Sequence, residues 1–122
     1  MKTFQDMVAE AKTRIREISV DEVAAKQKIG EKFVLIDVRE ADDYAEARIP
    51  FAKNMPRGYI EAEIVRHVTD PDTQIICHCG GGSRSALATK TLQEMGFRNV
   101  ASMAGGLRAW KEKGLPVKAA KG

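Results

Sequence analysis

Two cysteines stand two positions apart, at Cys77 and Cys79, and three consecutive glycines follow directly. The glycines Gly80, Gly81 and Gly82 allow the backbone to curl so that successive N–H groups converge on one point. A helix is predicted from Ser85, and its N-terminus would add unpaired N–H groups and a positive dipole end. Such surroundings lower the pKa of a thiol and favour the thiolate, which is the nucleophile. We therefore predict a reactive sulfur at Cys79.

The same loop has simpler interpretations. Gly80–Gly82 could be a flexible connection, with Cys79 a buried strand residue. A nucleotide-phosphate loop is disfavoured because the Gly-Lys-Ser/Thr ending of such loops is missing. Arg84, at the far end of the loop, could supply a fixed positive charge or brace the loop through hydrogen bonds.

The triplet Cys77-His78-Cys79 also resembles part of a metal site. In an extended strand Cys77 and Cys79 point to one side and His78 to the other. His67 is the only other histidine, and this spacing fits no zinc pattern. We predict no metal, a core position for Cys77 and a strand position at the edge of the site for His78. Thiol–disulfide exchange between the two cysteines is disfavoured because Cys77 is expected to be buried.

Length and composition indicate one ordinary globular domain. The chain has 122 residues, 43% of them hydrophobic and 30% charged, with a formal net charge of +3. Basic and acidic residues are interleaved, so no nucleic-acid surface is expected. No apolar run is long enough to span a membrane and the start lacks a signal-peptide core, so we expect a cytoplasmic protein with reduced thiols and no membrane partner.

Apolar spacing predicts helices that alternate with strands. The predicted helices cover residues 3–16, 19–26, 41–47, 60–68, 85–95 and 107–113, and the predicted strands cover 32–38, 52–55, 73–79 and 100–103. This alternation is typical of an α/β domain with a mainly parallel central sheet flanked by helices. Ligands bind such sheets at the carboxyl ends of the strands, which is where Cys79 falls.

Four segments, in order along the chain, resemble the rhodanese (sulfurtransferase) family. They are "VLIDVRE" (Val34–Glu40), "ARIPFAKNMP" (Ala47–Pro56), "CGGGSRSA" (Cys79–Ala86) and "MAGGLRAWKEKGLPV" (Met103–Val117). The chain departs from the family where Ala47 and Phe51 replace common glycines and Arg48 replaces a common histidine. These changes affect only the local loop geometry.

The resemblance implies a single rhodanese-like domain over residues 18–117. Residues 1–17 fall outside the match and are predicted to form an amphipathic helix that packs on the domain. Residues 118–122 are predicted to be a disordered basic tail. Within the domain, Gly105 and Gly106 are expected to form a tight turn and Trp110 to lie in the core.

The resemblance also implies a chemistry, in which Cys79 carries sulfane sulfur as a persulfide and turnover is ping-pong. The donor would be thiosulfate, a polysulfide or a persulfide, including a protein persulfide, and the acceptor a thiol or cyanide. No metal or organic cofactor is required. The expected substrate-binding residues are Gly80, Gly81, Gly82, Ser83 and Arg84, and the expected supporting residues are Asp37, Arg39 and Ser85.

Two alternatives remain open. One is a non-catalytic rhodanese-like module that binds or regulates a partner, although such modules typically lose the cysteine. The other is a phosphatase or arsenate reductase of the related cell-cycle phosphatase type. That loop places five residues between Cys and Arg, whereas only four separate Cys79 from Arg84.

Overall fold

A five-stranded parallel sheet forms the centre of the protein, in a computed structural model that describes residues 1–119. The strands are β1 (Arg16–Ile18), β2 (Val34–Asp37), β3 (Lys53–Asn54), β4 (Ile75–His78) and β5 (Val100–Met103). Their order across the sheet is β1-β5-β4-β2-β3, with every neighbouring pair parallel. The predicted α/β class is therefore confirmed, and β4, the strand before Cys79, is the middle strand of the sheet.

Helices connect the strands and cover both faces of the sheet. Within residues 1–119 they are α1 (Phe4–Lys12), α2 (Val20–Lys28), α3 (Ala41–Glu46), α4 (Ile60–His67), α5 (Ser83–Glu94) and α6 (Gly106–Glu112). Reciprocal capping hydrogen bonds define the starts of α1 and α2, through Thr3 with Asp6 and Ser19 with Glu22. Among these helices, none has the length and apolar character that a membrane crossing requires.

Alternation along the strands divides the core between the two faces of the sheet. On one face, Ile36 and Cys77 pack with apolar residues of α4 and α5 such as Ile64. On the other face, Ile76 packs with residues that include Trp110, which is 2% exposed. Cys79 continues the first face, so the two cysteines lie on the same side of the sheet.

The N-terminal prediction was wrong in part. The helix ends at Lys12, and Arg16–Ile18 form the edge strand β1, which pairs with Ala101–Met103. A boundary between residues 17 and 18 would therefore cut a strand of the sheet. The helix was predicted too long because Ile15 continues the helical spacing of apolar residues. A strand of only three residues is too short to show the alternation that would have indicated it. The helix α1 does pack on the domain, against α5.

The predicted disordered tail begins too early. Lys118 forms an antiparallel bridge with Arg48, in which its N–H donates to the Arg48 carbonyl at 2.8 Å and its carbonyl accepts from the Arg48 N–H at 2.9 Å. The Trp110 indole donates to the Pro116 carbonyl at 2.8 Å and holds the preceding segment. Residues 120–122 of the predicted tail lie outside the described residues.

Candidate active site

Cys79 lies at the carboxyl edge of the sheet, directly after the central strand β4. Because all strands are parallel, the loops that follow β2, β3 and β5 reach the same edge. Cys79 is only 1% exposed, so the surrounding loops cover it almost completely. A reactant must therefore pass these loops to reach the sulfur.

Three groups from the glycine loop and the first turn of α5 surround the sulfur. The Gly82 N–H lies 3.1 Å from the Cys79 Sγ and the Ser85 N–H lies 3.4 Å from it. The Ser85 hydroxyl oxygen is 3.6 Å away. The helix begins at Ser83, two residues earlier than predicted. Ser85, predicted as a supporting residue, lies in its first turn and contacts the sulfur directly.

The two cysteines differ in acidity. Burial raises the pKa of the Cys79 thiol, but hydrogen bonds from Ser85 and from the Gly82 and Gly81 N–H groups lower it by more, so the pKa lies below its ordinary value. Burial raises the pKa of Cys77 to about 12, and the nearby Thr89 hydroxyl offsets this only in part. Cys79 is therefore the more acidic thiol of the pair, and Cys77 stays a thiol at neutral pH.

The N-terminus of α6 holds the glycine loop from behind. The Leu107 N–H donates to the Cys79 carbonyl at 2.8 Å, and the Arg108 N–H donates to the Gly80 carbonyl at 3.0 Å. These bonds hold the loop carbonyls against α6, on the side away from the N–H donors that face the sulfur. Gly106 permits the approach, because a Cβ there would overlap the Cys79 carbonyl oxygen and lie 2.8 Å from the Gly80 carbonyl carbon.

The three loop glycines are not equivalent. Gly82 has φ +104°, and a Cβ on it would lie 3.2 Å from the Gly105 nitrogen. Gly80 and Gly81 have ordinary φ values, and a Cβ on either meets only arginine side chains at van der Waals distance. Only Gly82 among the three requires glycine on steric grounds.

Two arginines border the loop. A Cβ on Gly80 would lie 3.8 Å from an Arg84 Nη atom, and one on Gly81 would lie 3.7 to 3.9 Å from the Arg108 guanidinium. Arg84 is half-buried, whereas Arg108 is exposed. Sequence reasoning missed Arg108, although its place two residues after Gly105 and Gly106 was an available signal.

Ser83, a predicted substrate-binding residue, is half-buried at the start of α5. Within residues 1–119 it forms no hydrogen bond to the sulfur.

A buried ion pair stands behind the Cys79 backbone. The Arg39 Nη2 donates to the Asp37 carboxylate at 2.8 Å and to the Ala47 carbonyl at 2.6 Å. Asp37 also lies 3.6 Å from the His78 Nε2, and the His78 Nδ1 is 3.2 Å from the Cys79 carbonyl. Burial lowers the pKa of His78 although Asp37 opposes this, so the ring is neutral. Asp37 and Arg39 therefore connect the loop after β2 to the backbone of the central strand.

Replacing Arg39 with leucine is expected to lower stability by about 3–5 kcal/mol, because it leaves the fully buried Asp37 carboxylate unpaired. The matched control is Arg98→Leu, which removes a similar two-bond pair with Asp72 whose side chains are both 65% exposed. The control is expected to have little effect. Urea unfolding of both variants measures the difference, and equal losses would contradict the role of burial.

Within residues 1–119, no cluster of three or more His, Cys, Asp or Glu residues could hold a metal ion. The site instead offers one thiol of lowered pKa, N–H donors that face its sulfur and two guanidinium groups nearby. This arrangement suits nucleophilic attack by sulfur and stabilisation of a small anion bonded to it.

Two similar curated proteins come from Bacillus subtilis. The chain is 35% identical over 102 residues to "Putative sulfurtransferase YtwF", covering 84% of this chain and 96% of that protein. It is 32% identical over 105 residues to "Putative sulfur carrier protein YrkF", covering 86% of this chain. In the latter case the chain spans only 56% of the relative's length.

Solved structures share the fold over nearly the whole chain. A Rhodopseudomonas palustris protein of unknown function, described as a "Possible Tyrosine Phosphatase", is 31% identical with a TM-score of 0.86 and covers 97% of this chain and 96% of its own. The family model of the rhodanese-like domain matches residues 19–113, which include the glycine loop, the ion pair and the α6 N-terminus. By this match and its sulfurtransferase relatives, the chain belongs to the rhodanese family.

Proposed function

We propose that this protein transfers sulfane sulfur from a small donor to a thiol or cyanide acceptor through a persulfide on Cys79. The observation that carries the proposal is the convergence of the Gly82 and Ser85 N–H groups on the Cys79 sulfur, at 3.1 and 3.4 Å. A structural cysteine needs no such donors, whereas a thiolate and a persulfide anion both do. Membership of a family with sulfurtransferase relatives supports the same chemistry.

The reaction has two displacement steps. In the first, the Cys79 thiolate attacks the outer sulfur of thiosulfate, an S–S bond to Cys79 forms, and sulfite leaves with the electrons of the broken S–S bond. In the second, cyanide or a thiolate attacks the outer sulfur of the persulfide, and the Cys79 thiolate is released. Electrons balance within each step, so the proposal requires no cofactor or metal.

The loop residues have separate roles in this proposal. The N–H groups of Gly81, Gly82 and Ser85 stabilise the negative charge on Cys79 before and after the first step. Gly80 provides the carbonyl by which α6 anchors the loop. Ser83 begins the helix whose N-terminus faces the sulfur, and Arg84 contributes positive charge beside Gly80.

Positive charge near the loop favours an anionic donor. Arg108 lies near Gly81 and Arg84 lies near Gly80, so two cationic groups border the loop. Thiosulfate is a dianion whose negative charge remains at the far end while its outer sulfur is attacked. Polysulfides and persulfides, including a protein persulfide, also carry negative charge and are further candidate donors.

Replacing Arg108 with glutamine is expected to reduce kcat/KM for thiosulfate by about tenfold, because one guanidinium near the loop is lost. The effect should fall mainly on KM and weaken at high ionic strength. Lys111→Gln is the matched control, because Lys111 is exposed on the same helix and carries the same charge. Steady-state kinetics of the two variants separate an effect of position from an effect of net charge. An equal loss of kcat/KM in Arg108→Gln and Lys111→Gln would contradict a specific role for Arg108.

Intact-mass measurement after incubation with thiosulfate tests the proposal directly. We expect a gain of one sulfur atom, localised by proteolysis to the peptide containing Cys79 and removed by cyanide. A gain only with polysulfide would retain the mechanism and change the donor. No gain with thiosulfate, polysulfide or an organic persulfide would reject sulfur transfer and favour a binding module.

The similar structure described as a possible tyrosine phosphatase makes phosphatase activity a second candidate. The four-residue loop argues against it, because a tetrahedral oxyanion needs a wider ring of donors than a single sulfur atom. Hydrolysis of an aryl phosphate that is lost in Cys79→Ser, without formation of a persulfide, would favour this second function.

A further inference from the structure

Two buried hydroxyls lead from the reactive sulfur into the sheet. The Ser85 Oγ lies 3.6 Å from the Cys79 Sγ and 2.8 Å from the Ser102 Oγ. Ser102 is on β5, and both serines are 0% exposed. We call Ser85 and Ser102 the hydroxyl relay. Ser102 is the member farther from Cys79, and neither of these two bonds joins it to the sulfur. The sequence analysis did not identify it as a site residue.

The number of protons fixes the direction of the relay. Each hydroxyl has one proton, and within residues 1–119 the Ser102 side chain has Ser85 as its only hydrogen-bond partner. If Ser85 donated to Ser102, the Ser102 proton would be buried without an acceptor, which is unfavourable. While Cys79 is protonated, its thiol donates to the Ser85 hydroxyl. Once that proton is lost, a Ser85 hydroxyl that accepts from Ser102 is free to donate its own proton to the thiolate. This second direction, from Ser102 to Ser85, satisfies both hydroxyls.

We propose that Ser102 is a positioning residue that turns the Ser85 hydroxyl proton towards Cys79 and so stabilises the thiolate. A thiolate is the best acceptor for that proton, because a bond to a charged acceptor is stronger than one to a neutral thiol. Donation from Ser102 also polarises Ser85 and strengthens its bond to the sulfur. This role deepens the proposed sulfur transfer and rests on it for its purpose, but the orientation itself can be measured without a sulfur donor.

Other charged and titratable groups near Cys79 stay in place when the relay is altered. They are Asp37 and Arg39 at the end of β2, Arg57 before α4, Cys77 and His78 on β4, Arg84 on α5 and Arg108 on α6. Among the described hydrogen bonds, none joins one of these side chains to either hydroxyl of the relay. A change in the titration of Cys79 on removing Ser102 therefore reports on the relay.

The test is a titration of the thiolate by its ultraviolet absorbance as a function of pH, with Cys79→Ser as the blank. Cys77 does not interfere, since burial raises its pKa to about 12. The proteins are the wild type, Ser102→Ala, Ser85→Ala and the double variant. Val100→Ala is the control, because it removes buried packing from the same strand and leaves both hydroxyls in place.

Ser102→Ala is expected to raise the midpoint of the Cys79 titration by about half a pH unit in the wild-type background. It should have no further effect when Ser85 is already alanine, and Val100→Ala should leave the midpoint unchanged. An unchanged midpoint in folded Ser102→Ala, or an equal shift with and without Ser85, would overturn the proposal.

A second pair of variants guards against misfolding of Ser102→Ala. Threonine and valine at position 102 have nearly the same shape, with a methyl group of valine in place of the threonine hydroxyl. Only Ser102→Val should therefore titrate at higher pH, and Ser102→Thr should titrate as the wild type does. An equal midpoint in both would also overturn the relay. If the relay shifts are found but no donor yields a persulfide, the relay stands and the proposed sulfur transfer fails, so the two outcomes are distinguishable.

Discussion

Cys79→Ser is expected to abolish sulfur transfer, whereas Cys77→Ser should retain most of it. Both cysteines are buried on the same face of the sheet, so the difference lies in what surrounds each sulfur. N–H and hydroxyl groups lie within 3.6 Å of the Cys79 sulfur. Burial raises the pKa of Cys77 to about 12, which leaves it a thiol at neutral pH. A serine hydroxyl at position 79 remains protonated and cannot hold a transferable sulfur.

Thiocyanate formation from thiosulfate and cyanide measures the effect on turnover. The same replacement at both positions makes the variants a matched pair, and thermal unfolding of each checks that the fold survives. Cys77→Ser places a hydroxyl near the Thr89 hydroxyl, whose proton goes to the Ser85 carbonyl and whose oxygen can accept a further bond. The new polar group therefore has a partner, and the fold is expected to persist. Loss of activity in a folded Cys77→Ser, together with an active Cys79→Ser, would move the nucleophile to Cys77.

The sequence allowed prediction of the features that depend on local pattern. Continuous apolar runs identified the central strands, and the glycines after Cys79 identified the loop at the carboxyl edge of the sheet. Alternation along β4 correctly placed Cys77 and Cys79 on one face. Each of these features arises within a few neighbouring residues, where periodicity and backbone freedom are informative.

Features that depend on long-range contact were missed. The strand β1 forms because Arg16–Ile18 pair with Ala101–Met103. The residue pattern at positions 16–18 does not by itself indicate a strand. Ser102 meets Ser85 only after β5 and α5 pack side by side. Arg108 reaches the loop because α6 abuts it. These contacts become visible only when elements distant in sequence are brought together.

Gly106→Ala is expected to reduce sulfur transfer by about a hundredfold or more, comparable to the loss of a preorganised donor for an anion. The new methyl group would overlap the Cys79 carbonyl oxygen and lie 2.8 Å from the Gly80 carbonyl atoms, and φ at this position is +56°. Neither of these backbone groups can move aside without displacing the glycine loop, because both belong to it. The loop must then leave the N-terminus of α6 and lose the bonds to Leu107 and Arg108 that hold it.

Gly81→Ala is the matched control, because the same methyl group there meets only the exposed Arg108 side chain at 3.7 Å or more. It should retain activity within a few-fold and titrate Cys79 as the wild type does. In Gly106→Ala the Cys79 thiol should titrate at higher pH, because the displaced loop no longer directs its N–H groups at the sulfur. Equal activity in the two variants would show that the α6 contact does not hold the loop. A loss in Gly106→Ala without a change in the titration would place the role of that contact in substrate access instead of charge stabilisation.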